Sequence, residues 1–495
     1  MRKRILIAAL LSSADLGGYA QNDADVQRYT ANYFGGTARF QSMGGAFGAL
    51  GGDMSSIHLN PAAVGVYRFG TISFTPALEF NSIDAETDFT SIEDSKTKMV
   101  VNNVGFVLAN EIRHPQWRSI NFSVSYNRIN TFNDITRLEG RHAANDGLAG
   151  DFLFEAQGRR LGELSDFGAG LAWDAFVIDN ANYTNIGTPN EEAIDDGEYV
   201  LVFDPEQEIR TVQTAERDGR LSETALTLGA NYDDRLYIGF GLGFQDVTYQ
   251  YEITTVEETV AEPNTDLVRY TFNEILESDG LGVNAKLGFI YRTKVLRFGA
   301  SVRTPTVFSM TDNFTADIRS TLQNPDDQIS SESGVGFFEY RIRTPWHFMG
   351  SVAAVIGKKA ILSGQYERID FGGGELRNSG GADTDFSFIN QTIAQGYSAS
   401  DIFRFGGEYR LSNNFTARAG YAWFANPITS NEQFTDENLN RQHFNFGLGL
   451  RQATWYLDLA YSRAVFNEIY PYTDLNLATL GTRQDSFMLT LGFRM

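Results

Sequence analysis

The last ten residues, Ser486-Phe-Met-Leu-Thr-Leu-Gly-Phe-Arg-Met495, decide the fold class of this chain. Large apolar residues occupy every second position (Phe487, Leu489, Leu491 and Phe493), and polar or smaller residues occupy most of the positions between them. A period of two residues is the period of a β-strand, whose side chains point alternately to opposite faces. The pattern predicts a strand with one apolar face and one face toward a more polar environment.

The same alternation recurs along the chain in segments that are long for a soluble β-sandwich and suited to tilted strands that cross a membrane. The predicted strands are approximately 68–80, 99–111, 117–131, 221–232, 235–252, 280–293, 295–312, 337–356, 359–371, 400–411, 414–427, 440–451, 454–467 and 484–495. That makes about fourteen, and bacterial single-chain barrels have an even number of strands. The sequence therefore predicts an all-β fold, a transmembrane antiparallel β-barrel.

The connections between these strands are predicted to alternate between long and short. The long ones are 81–98, 132–220, 253–279, 313–336, 372–399, 428–439 and 468–483, and the short ones centre on 114–115, 233–234, 293–294, 357–358, 412–413 and 452–453. Outer-membrane barrels have short periplasmic turns and long external loops. The alternation favours such a barrel over a sandwich. The C-terminal strand is also similar to the signal read by the barrel-assembly machinery, which is an expected partner.

The N-terminus has the form of a secretory signal peptide over residues 1–20. Arg2, Lys3 and Arg4 precede an apolar run over 5–11, and Gly18-Tyr19-Ala20 is a small-x-small cleavage site. No later segment approaches about 18 continuous apolar residues, so no membrane-spanning helix is expected. These features predict export to the outer membrane of a Gram-negative bacterium.

The composition excludes several classes of function. The 495 residues include no cysteine, which rules out disulfides, thiolate metal sites, iron–sulfur clusters and a lipoprotein anchor. The net charge of −22 argues against nucleic-acid binding. The five histidines lack the spacing of metal ligands, and no motif indicates a catalytic residue or a cofactor. The acidic residues crowd into the predicted loops, as solvated charge or as cation-mediated contacts with lipopolysaccharide.

The segment 21–67, which precedes the barrel over 68–495, is rich in glycine and moderately apolar. It is too short to bury a core alone. Both ends of the barrel are predicted to be periplasmic, so this segment is expected to fold back into the lumen as a plug. Glycine permits close approach of the plug backbone to the wall.

Two stretches of this segment, Gly36-Thr-Ala-Arg-Phe-Gln-Ser-Met-Gly-Gly-Ala-Phe-Gly-Ala-Leu-Gly-Gly-Asp53 and Ser56-Ile-His-Leu-Asn-Pro-Ala-Ala-Val-Gly65, resemble the FadL/TodX family. Further similarity lies in 296–306, 404–410 and 418–421. This family comprises outer-membrane channels for long-chain fatty acids and aromatic hydrocarbons. The resemblance implies a monomeric, fourteen-stranded barrel with an N-terminal hatch.

The resemblance also implies a passive transport mechanism. A hydrophobic ligand lands among the external loops, enters a pocket above the hatch, and leaves sideways through the wall when the hatch moves. An apolar chain gains about 0.8 kcal/mol per buried CH₂, so a series of apolar sites is favourable for such a ligand. The family's lateral opening is associated with a kink in the third strand. The segment 117–131 contains no Gly or Pro, so the sequence does not locate an opening.

The candidate plug and gating residues are Asn60, Pro61 and Ala62, together with Gly51 and Gly52. The alternative for the Asn-Pro-Ala triplet is an ordinary turn before the first strand. Two further candidates lie on the polar face of their strands.

Those two candidates are Arg404 and Arg418, either of which is expected to receive a ligand carboxylate through a fork of donors. The alternative is a set of lumen charge pairs that hold the plug or the wall.

Two rival functions remain open on the sequence. The barrel is alternatively a pedestal for a surface adhesin or antigen, for which the long acidic loop 132–220 is the best argument. A hydrolase site assembled across several strands is the third hypothesis, although no local motif supports it.

Overall fold

A computed structural model describes residues 23–33, 35–86, 90–184, 192–260, 266–324, 326–357, 359–380, 384–429, 438–471 and 477–495. The predicted signal peptide over residues 1–20 lies outside these ranges. Among the helices described, none has the length and apolar character needed to cross a bilayer.

Fourteen antiparallel strands form one closed barrel, as predicted. They are β1 (Thr71–Glu86), β2 (Ser91–Leu108), β3 (Trp117–Ala143), β4 (Glu208–Tyr232), β5 (Leu236–Thr259), β6 (Leu267–Arg292), β7 (Leu296–Arg303 and Val307–Leu322), β8 (Gly336–Arg343 and His347–Ile356), β9 (Ala360–Asp370 and Glu375–Asn378), β10 (Ala399–Arg410), β11 (Phe415–Phe424), β12 (Arg441–Arg451), β13 (Trp455–Pro471) and β14 (Leu477–Arg494). Each strand pairs with the next, and β14 pairs with β1 to close the barrel. Breaks containing Pro305 and Pro345 divide β7 and β8, because proline has no N–H for the ladder.

The predicted inner and outer faces are confirmed. On β14, Phe487 and Phe493 are 53% and 54% exposed, whereas Met488 and Thr490 are buried. The exposed apolar side chains of all fourteen strands form the outer surface that faces lipid, and the buried faces line the lumen.

Most of the predicted long connections were wrong in length, because the strands continue beyond the lipid-facing band. The connection predicted over 81–98 is instead a hairpin: β1 continues to Glu86 and β2 begins at Ser91. The outward face of this extension of β1 is polar (Ser82, Asp84 and Glu86), so the outward apolar residues that mark a membrane strand are absent there, although Ile83 and Ala85 are buried on its inward face. The connection between β1 and β2 is therefore shorter than the long loop that was predicted there.

The N-terminal segment lies inside the barrel and is called the hatch below (residues 35–66). Its elements are α2 (Ala38–Ser42), α3 (Ser56–Leu59) and a 3-10 helix (Pro61–Val66), preceded by the lumen helix α1 (Asp23–Thr30). From residue 36 to residue 65 every side chain except Arg39 and Gly52 is buried. The hatch therefore fills the lumen as a plug.

The long connection between β3 and β4 forms a cap with a core of its own. The cap contains two helices, α4 (Leu148–Ala156) and α5 (Ala169–Asp174). It also contains the 3-10 helices Ala144–Asp146 and Leu161–Glu163 and the short strands Ile178–Asn180, Tyr183–Thr184, Glu192–Ala193 and Tyr199–Leu201. Other connections contain the strand Gln328–Glu332, the 3-10 helix Phe371–Gly373 and α6 (Ser387–Gly396). The cap core packs on the inward-facing Tyr270, Phe272 and Ile318 of β6 and β7. Buried Glu257 of β5 accepts hydrogen bonds from the N–H groups of Leu148 (2.9 Å) and Ala149 (3.2 Å) at the start of α4. The cap is thus fixed to the inner rim of the mouth.

Replacement of Leu459 by Arg is expected to destabilise the barrel far more than replacement of Ser462 by Arg on the same strand. Leu459 is 49% exposed on the lipid face, whereas Ser462 faces the lumen. A charge on the lipid face costs about 2–4 kcal/mol near the midplane. Equilibrium unfolding in lipid vesicles measures the difference, and equal destabilisation by both variants would contradict the assignment of the faces.

Candidate functional site

The inner wall is shaped to the hatch by glycines. A Cβ atom built on Gly239 would overlap the backbone of Pro61, and one on Gly420 would overlap Gly44. The wall glycines in such close contact are Gly229, Gly239, Gly288, Gly299, Gly406, Gly420 and Gly447. The alternating glycines of the strand sequences therefore let the hatch backbone lie directly against the sheet.

The Asn60-Pro61-Ala62 triplet joins three parts of the molecule. Asn60 Oδ1 accepts a hydrogen bond from the N–H of Ala62 (3.1 Å) and caps the 3-10 helix, which begins at Pro61. Asn60 Nδ2 donates to the carbonyl of Gly48 in the hatch (2.7 Å) and to the carbonyl of Phe289 in β6 (3.1 Å). The triplet is a turn, as the alternative reading had it, and it also anchors the hatch to the wall. Its role in gating stays a prediction.

Gly51 and Gly52 form a tight turn earlier in the hatch. Their φ angles are 63° and 66°, in the left-handed region that favours glycine. A Cβ on Gly51 would lie 2.8 Å from a methyl group of Val66, so this turn packs on the end of the 3-10 helix. The carbonyl of Gly52 accepts a hydrogen bond from Arg39 (3.3 Å). Both glycines shape the hatch, and their role in gating also stays a prediction.

Arg404 and Arg418 both form ion pairs with carboxylates of the wall. Arg404 Nη1 lies 2.6 Å from Glu367 Oε2, and both side chains are buried. Arg418 Nη1 lies 2.6 Å from Asp458 Oδ1. These contacts match the alternative that the sequence left open, in which lumen charges pair with one another.

The second contact of Arg418 links the wall to the hatch. Arg418 Nε lies 2.7 Å from Glu408 Oε2, and the same carboxylate oxygen lies 3.0 Å from Nε of Arg39 in the hatch. Glu408 therefore ties α2 to β10 and β11 through a partly buried charge pair.

A second polar lock is centred on His58 of α3. Its Nδ1 lies 2.7 Å from Glu223 Oε1 of β4, and its Nε2 lies 3.0 Å from Ser125 Oγ of β3. Lys286 of β6 forms an ion pair with Glu223 and donates to the carbonyl of His58 (3.0 Å). Burial lowers the pKa of His58, so its imidazole is neutral at pH 7 and the lock carries no net charge.

The order Ser125–His58–Glu223 has the connectivity of a hydrolase triad, but its surroundings differ from those of an active site. A nucleophilic serine needs space for a substrate carbonyl about 3 Å from its oxygen. Ser125 is fully buried against the hatch and lines neither of the two lumen cavities described below. We interpret this arrangement as a hydrogen-bonded lock. In the part of the chain that the structure describes, no group of three or more His, Asp or Glu residues is placed to hold a metal ion.

A cavity of about 300 Å³ lies in the lumen between the hatch and the mouth. Its wall combines one side of α1 with apolar and polar residues of the strands, among them Ile83, Phe132, Phe424, Phe466, Leu480 and Arg441. This volume is at the lower end of the range for small-molecule sites. On its other side, α1 inserts Val26 and Tyr29 into an apolar cluster of wall residues that includes Phe308 and Tyr340. Helix α1 thus occupies apolar space beside the cavity.

Arg441 at the start of β12 differs from Arg404 and Arg418 in its partners. Its guanidinium lies 4.0 Å from the ring centre of Tyr33 and 4.1 Å from that of Phe466. It donates to His443 Nε2 (2.9 Å) and to Gln484, which are uncharged acceptors. Among the described residues, no carboxylate lies within 4 Å of this guanidinium. The alternation of the sequence places Arg441 on the lumen face. Only its distances to side chains of neighbouring strands distinguish it from Arg404 and Arg418, which pair with carboxylates.

The wall has an open seam between β2 and β3. These strands pair only from Asn103↔Asn127 to Leu108↔Phe122. Beyond that level β2 continues to pair with β1, and β3 continues to pair with β4. Each strand carries one extra residue at this point, Asn102 and Ile129, which interrupts its register. These β-bulges turn the two strands apart.

Side chains and the hatch replace the missing ladder at the seam. The N–H of Gly35 in the hatch donates to the carbonyl of Arg128 (3.0 Å), and Asn81 Nδ2 of β1 donates to the carbonyl of Asn133. A small pocket of about 60 Å³ is lined by Asn102 and Arg128 at the seam and shares Tyr33, Asn130 and Arg441 with the larger cavity. The cavity and the small pocket at the seam are therefore adjacent.

Replacement of Gly239 by Ala is expected to displace the hatch, because the added methyl group would overlap Pro61. Replacement of Gly350 by Ala is the matched control, since a Cβ there meets no atom within 4 Å. We expect the first variant to raise the single-channel conductance in planar bilayers and the second to leave it unchanged. Unchanged conductance in a folded Gly239→Ala barrel would contradict the assignment of the hatch as a plug.

Comparisons with known proteins give matches in structure alone. No protein-family model and no curated protein matches the sequence. The toluene transporter TodX from P. putida superposes with a TM-score of 0.51 at 12% identity, over 97% of this chain and 99% of that one. A Pseudomonas aeruginosa FadL homologue superposes with a TM-score of 0.52 at 10% identity, over 94% and 99% of the two chains. At this identity the likeness establishes the fold and no more. The chain is therefore a hatch-filled, fourteen-stranded barrel with the fold of the FadL and TodX channels.

Proposed function

We propose that this protein is a passive channel of the outer membrane for hydrophobic small molecules. The observation that carries the proposal is that a lumen cavity beside α1 adjoins a small pocket at the seam between β2 and β3. An open water-filled pore would need neither feature. The fold that this chain shares with a toluene transporter supports the same proposal.

The cap defines the entrance in this proposal. Its apolar core packs on the inner rim of the barrel, and Glu257 fixes the start of α4 to β5. A loop that serves only as an adhesin has no need of contacts that reach into the mouth. Phe154 of α4, which is 83% exposed, offers an apolar landing point on the outer surface of the cap.

Displacement of α1 enlarges the cavity in this mechanism. The helix supplies one side of the cavity, and its Val26 and Tyr29 occupy apolar wall space that a ligand can take over. Each ligand CH₂ transferred from water to such a site gains about 0.8 kcal/mol. Binding and helix displacement are thereby coupled, because both compete for the same apolar surface.

Release takes place through the seam. Backbone groups without partners are costly in lipid, at several kcal/mol each, so the seam needs the hydrogen bond from Gly35 to Arg128 as a substitute for the ladder. Movement of the hatch removes this bond and opens a route from the small pocket into the membrane. The arrangement supports hatch rearrangement as the gate.

The ligand class follows from Arg441. A half-buried arginine between two aromatic rings, with neutral hydrogen-bond partners, retains donors for an incoming anion. Arg404 and Arg418 already bind wall carboxylates. We therefore assign the reception of a ligand carboxylate to Arg441, which favours a fatty acid over a neutral hydrocarbon.

The remaining partners belong to the same proposal. The apolar face of β14 suits insertion by the barrel-assembly machinery, and the acidic external surface suits contact with lipopolysaccharide through bridging cations. The barrel closes on itself, which supports a monomer.

Replacement of Arg441 by Gln is expected to weaken binding of a fatty acid about tenfold or more, because a hydrogen bond to a charged group contributes about 1.5–3 kcal/mol. Binding of a neutral hydrocarbon of similar size is expected to stay unchanged. Titration with a fluorescent fatty acid and with a neutral aromatic probe measures both. Arg463→Gln on the exposed outer face is the control. Equal loss for the two ligands would contradict a role in recognising the carboxylate.

A diazirine-bearing fatty acid is expected to label the seam in a saturable manner. Labelling at residues 129–131 of β3 should decline when an excess of unlabelled fatty acid is added, since these residues line the small pocket. Labelling at Val352 on the lipid face should not decline, because it reflects ligand dissolved in the bilayer. Peptide mass spectrometry gives the positions. Absence of saturable labels at residues 129–131, together with saturable labels elsewhere in the lumen, would remove the proposed exit.

A further inference from the structure

The end of the barrel with the short turns is basic, in contrast to the rest of the chain. Each of six consecutive connections at this end, beginning with the one before β1, presents an exposed cation: Arg68, Arg113, Arg235, Lys294, Lys359 and Arg410. We call these six residues the basic collar. The acidic residues of the same turns are Glu111, Asp233 and Asp234. The overall net charge is −22, so the collar runs against the composition of the protein.

The opposite end has the reverse charge. The cap, residues 144–207, contains fourteen acidic residues and only two basic ones, Arg159 and Arg160. The two ends of the barrel therefore face different chemical surroundings, and the difference in charge lies along the axis of the barrel.

Several cations of the collar lack an acidic partner. Asp234 lies 3.4 Å from Arg68, and Asp233 lies 3.9 Å from Arg235, both at exposed positions where such pairs are weak. In the part of the chain that the structure describes, Arg113, Lys294, Lys359 and Arg410 have no carboxylate within 4 Å. These charges are available to an anionic partner.

The collar lies at the level of lipid headgroups. Exposed aromatic residues adjoin it at the same end of the barrel, among them Phe69, Tyr291 and Tyr409. Phe69 directly follows Arg68, and Tyr409 directly precedes Arg410. Aromatic girdles mark the boundary between the apolar core of a membrane and its headgroups. A cation immediately beyond the girdle is placed beside the phosphate layer.

We propose that the basic collar binds the phosphate groups of anionic phospholipids in the leaflet around the short-turn end. Basic residues beside an anionic lipid surface contribute about 1 kcal/mol each, and the contribution is screened by salt. Six cations spaced over successive turns meet several lipids around the barrel, which holds the barrel at a defined depth in that leaflet. This inference concerns the lipid environment and does not depend on the transported ligand.

The test compares the full-length protein with a variant in which all six collar residues are replaced by Gln. Both are reconstituted in bilayers of phosphatidylcholine and phosphatidylglycerol, and the lipids in contact with the protein are measured by spin-label electron paramagnetic resonance. We expect the native protein to prefer phosphatidylglycerol about fivefold at low salt, as one contact of this kind implies. The preference should vanish in the collar variant and at 1 M salt, where the Debye length is about 3 Å.

The matched control replaces six exposed arginines at the long-loop end by Gln: Arg137, Arg141, Arg319, Arg341, Arg377 and Arg463. This variant should keep the preference. If the collar variant does not fold, Arg113→Gln combined with Lys294→Gln and Lys359→Gln, read together with the salt titration of the native protein, decides the question. A preference that survives loss of the collar, or that disappears equally in the control, overturns the proposal. The absence of any preference for phosphatidylglycerol in the native protein at low salt overturns it as well.

Discussion

The constraint on which the structure depends is the need to hydrogen-bond every backbone amide and carbonyl inside a membrane. A closed ladder of fourteen strands meets that need almost everywhere, because β14 pairs with β1 and leaves no edge. One gap among the described residues, besides the breaks at Pro305 and Pro345, is the seam between β2 and β3. There the carbonyl of Arg128 accepts a hydrogen bond from the N–H of Gly35 in the hatch, so the integrity of the wall depends on the position of the hatch.

The same dependence explains how the hatch is held. Apolar packing alone has little directional preference, whereas the hatch is fixed by polar contacts at defined points of the wall. The carboxylate of Glu408 contacts Arg39, and that of Glu223 contacts His58 and Lys286. The carbonyl of Phe289 accepts a hydrogen bond from Asn60. Removing one partner of a buried hydrogen bond leaves the other partner unsatisfied at a cost of about 1–3 kcal/mol, so these contacts give the hatch one well-defined position. The wall glycines permit this arrangement, because the hatch backbone lies where their side chains would otherwise be.

The charged residues are distributed unevenly along the axis of the barrel. The mouth carries the acidic cap, Arg404 and Arg418 of the lumen pair with wall carboxylates, and the short-turn end is basic. Arg441 differs from Arg404 and Arg418 because its neighbours are aromatic rings and neutral polar groups. A barrel with this distribution separates the contacts that stabilise it from the groups left for a ligand or a lipid.

Periodicity predicted much of the fold, and its failures have physical causes. All fourteen strands were located, since the lipid-facing half of each strand needs an apolar residue at every second position. The extension of β1 and β2 beyond the membrane was missed, because the outward-facing residues there, such as Ser91, Glu93 and Ser95, are polar. The bulges at Asn102 and Ile129 were missed too, since neither contains Gly or Pro, although the step from Val101 to Val104 breaks the alternation.

The sequence by itself determined the barrel, its strand number, its two faces and the glycine-rich segment that fills it. These properties depend on local patterning, because each strand meets lipid on one side and the lumen on the other whatever its neighbours are. Only the tertiary structure decided which carboxylates pair with Arg404 and Arg418, which carboxylates hold the hatch and where the ladder between β2 and β3 ends. Those properties depend on the register between strands that are distant in sequence. Arg404 and Arg441 occupy equivalent lumen positions by alternation, and only Glu367, brought beside Arg404 by the pairing of β9 with β10, distinguishes them.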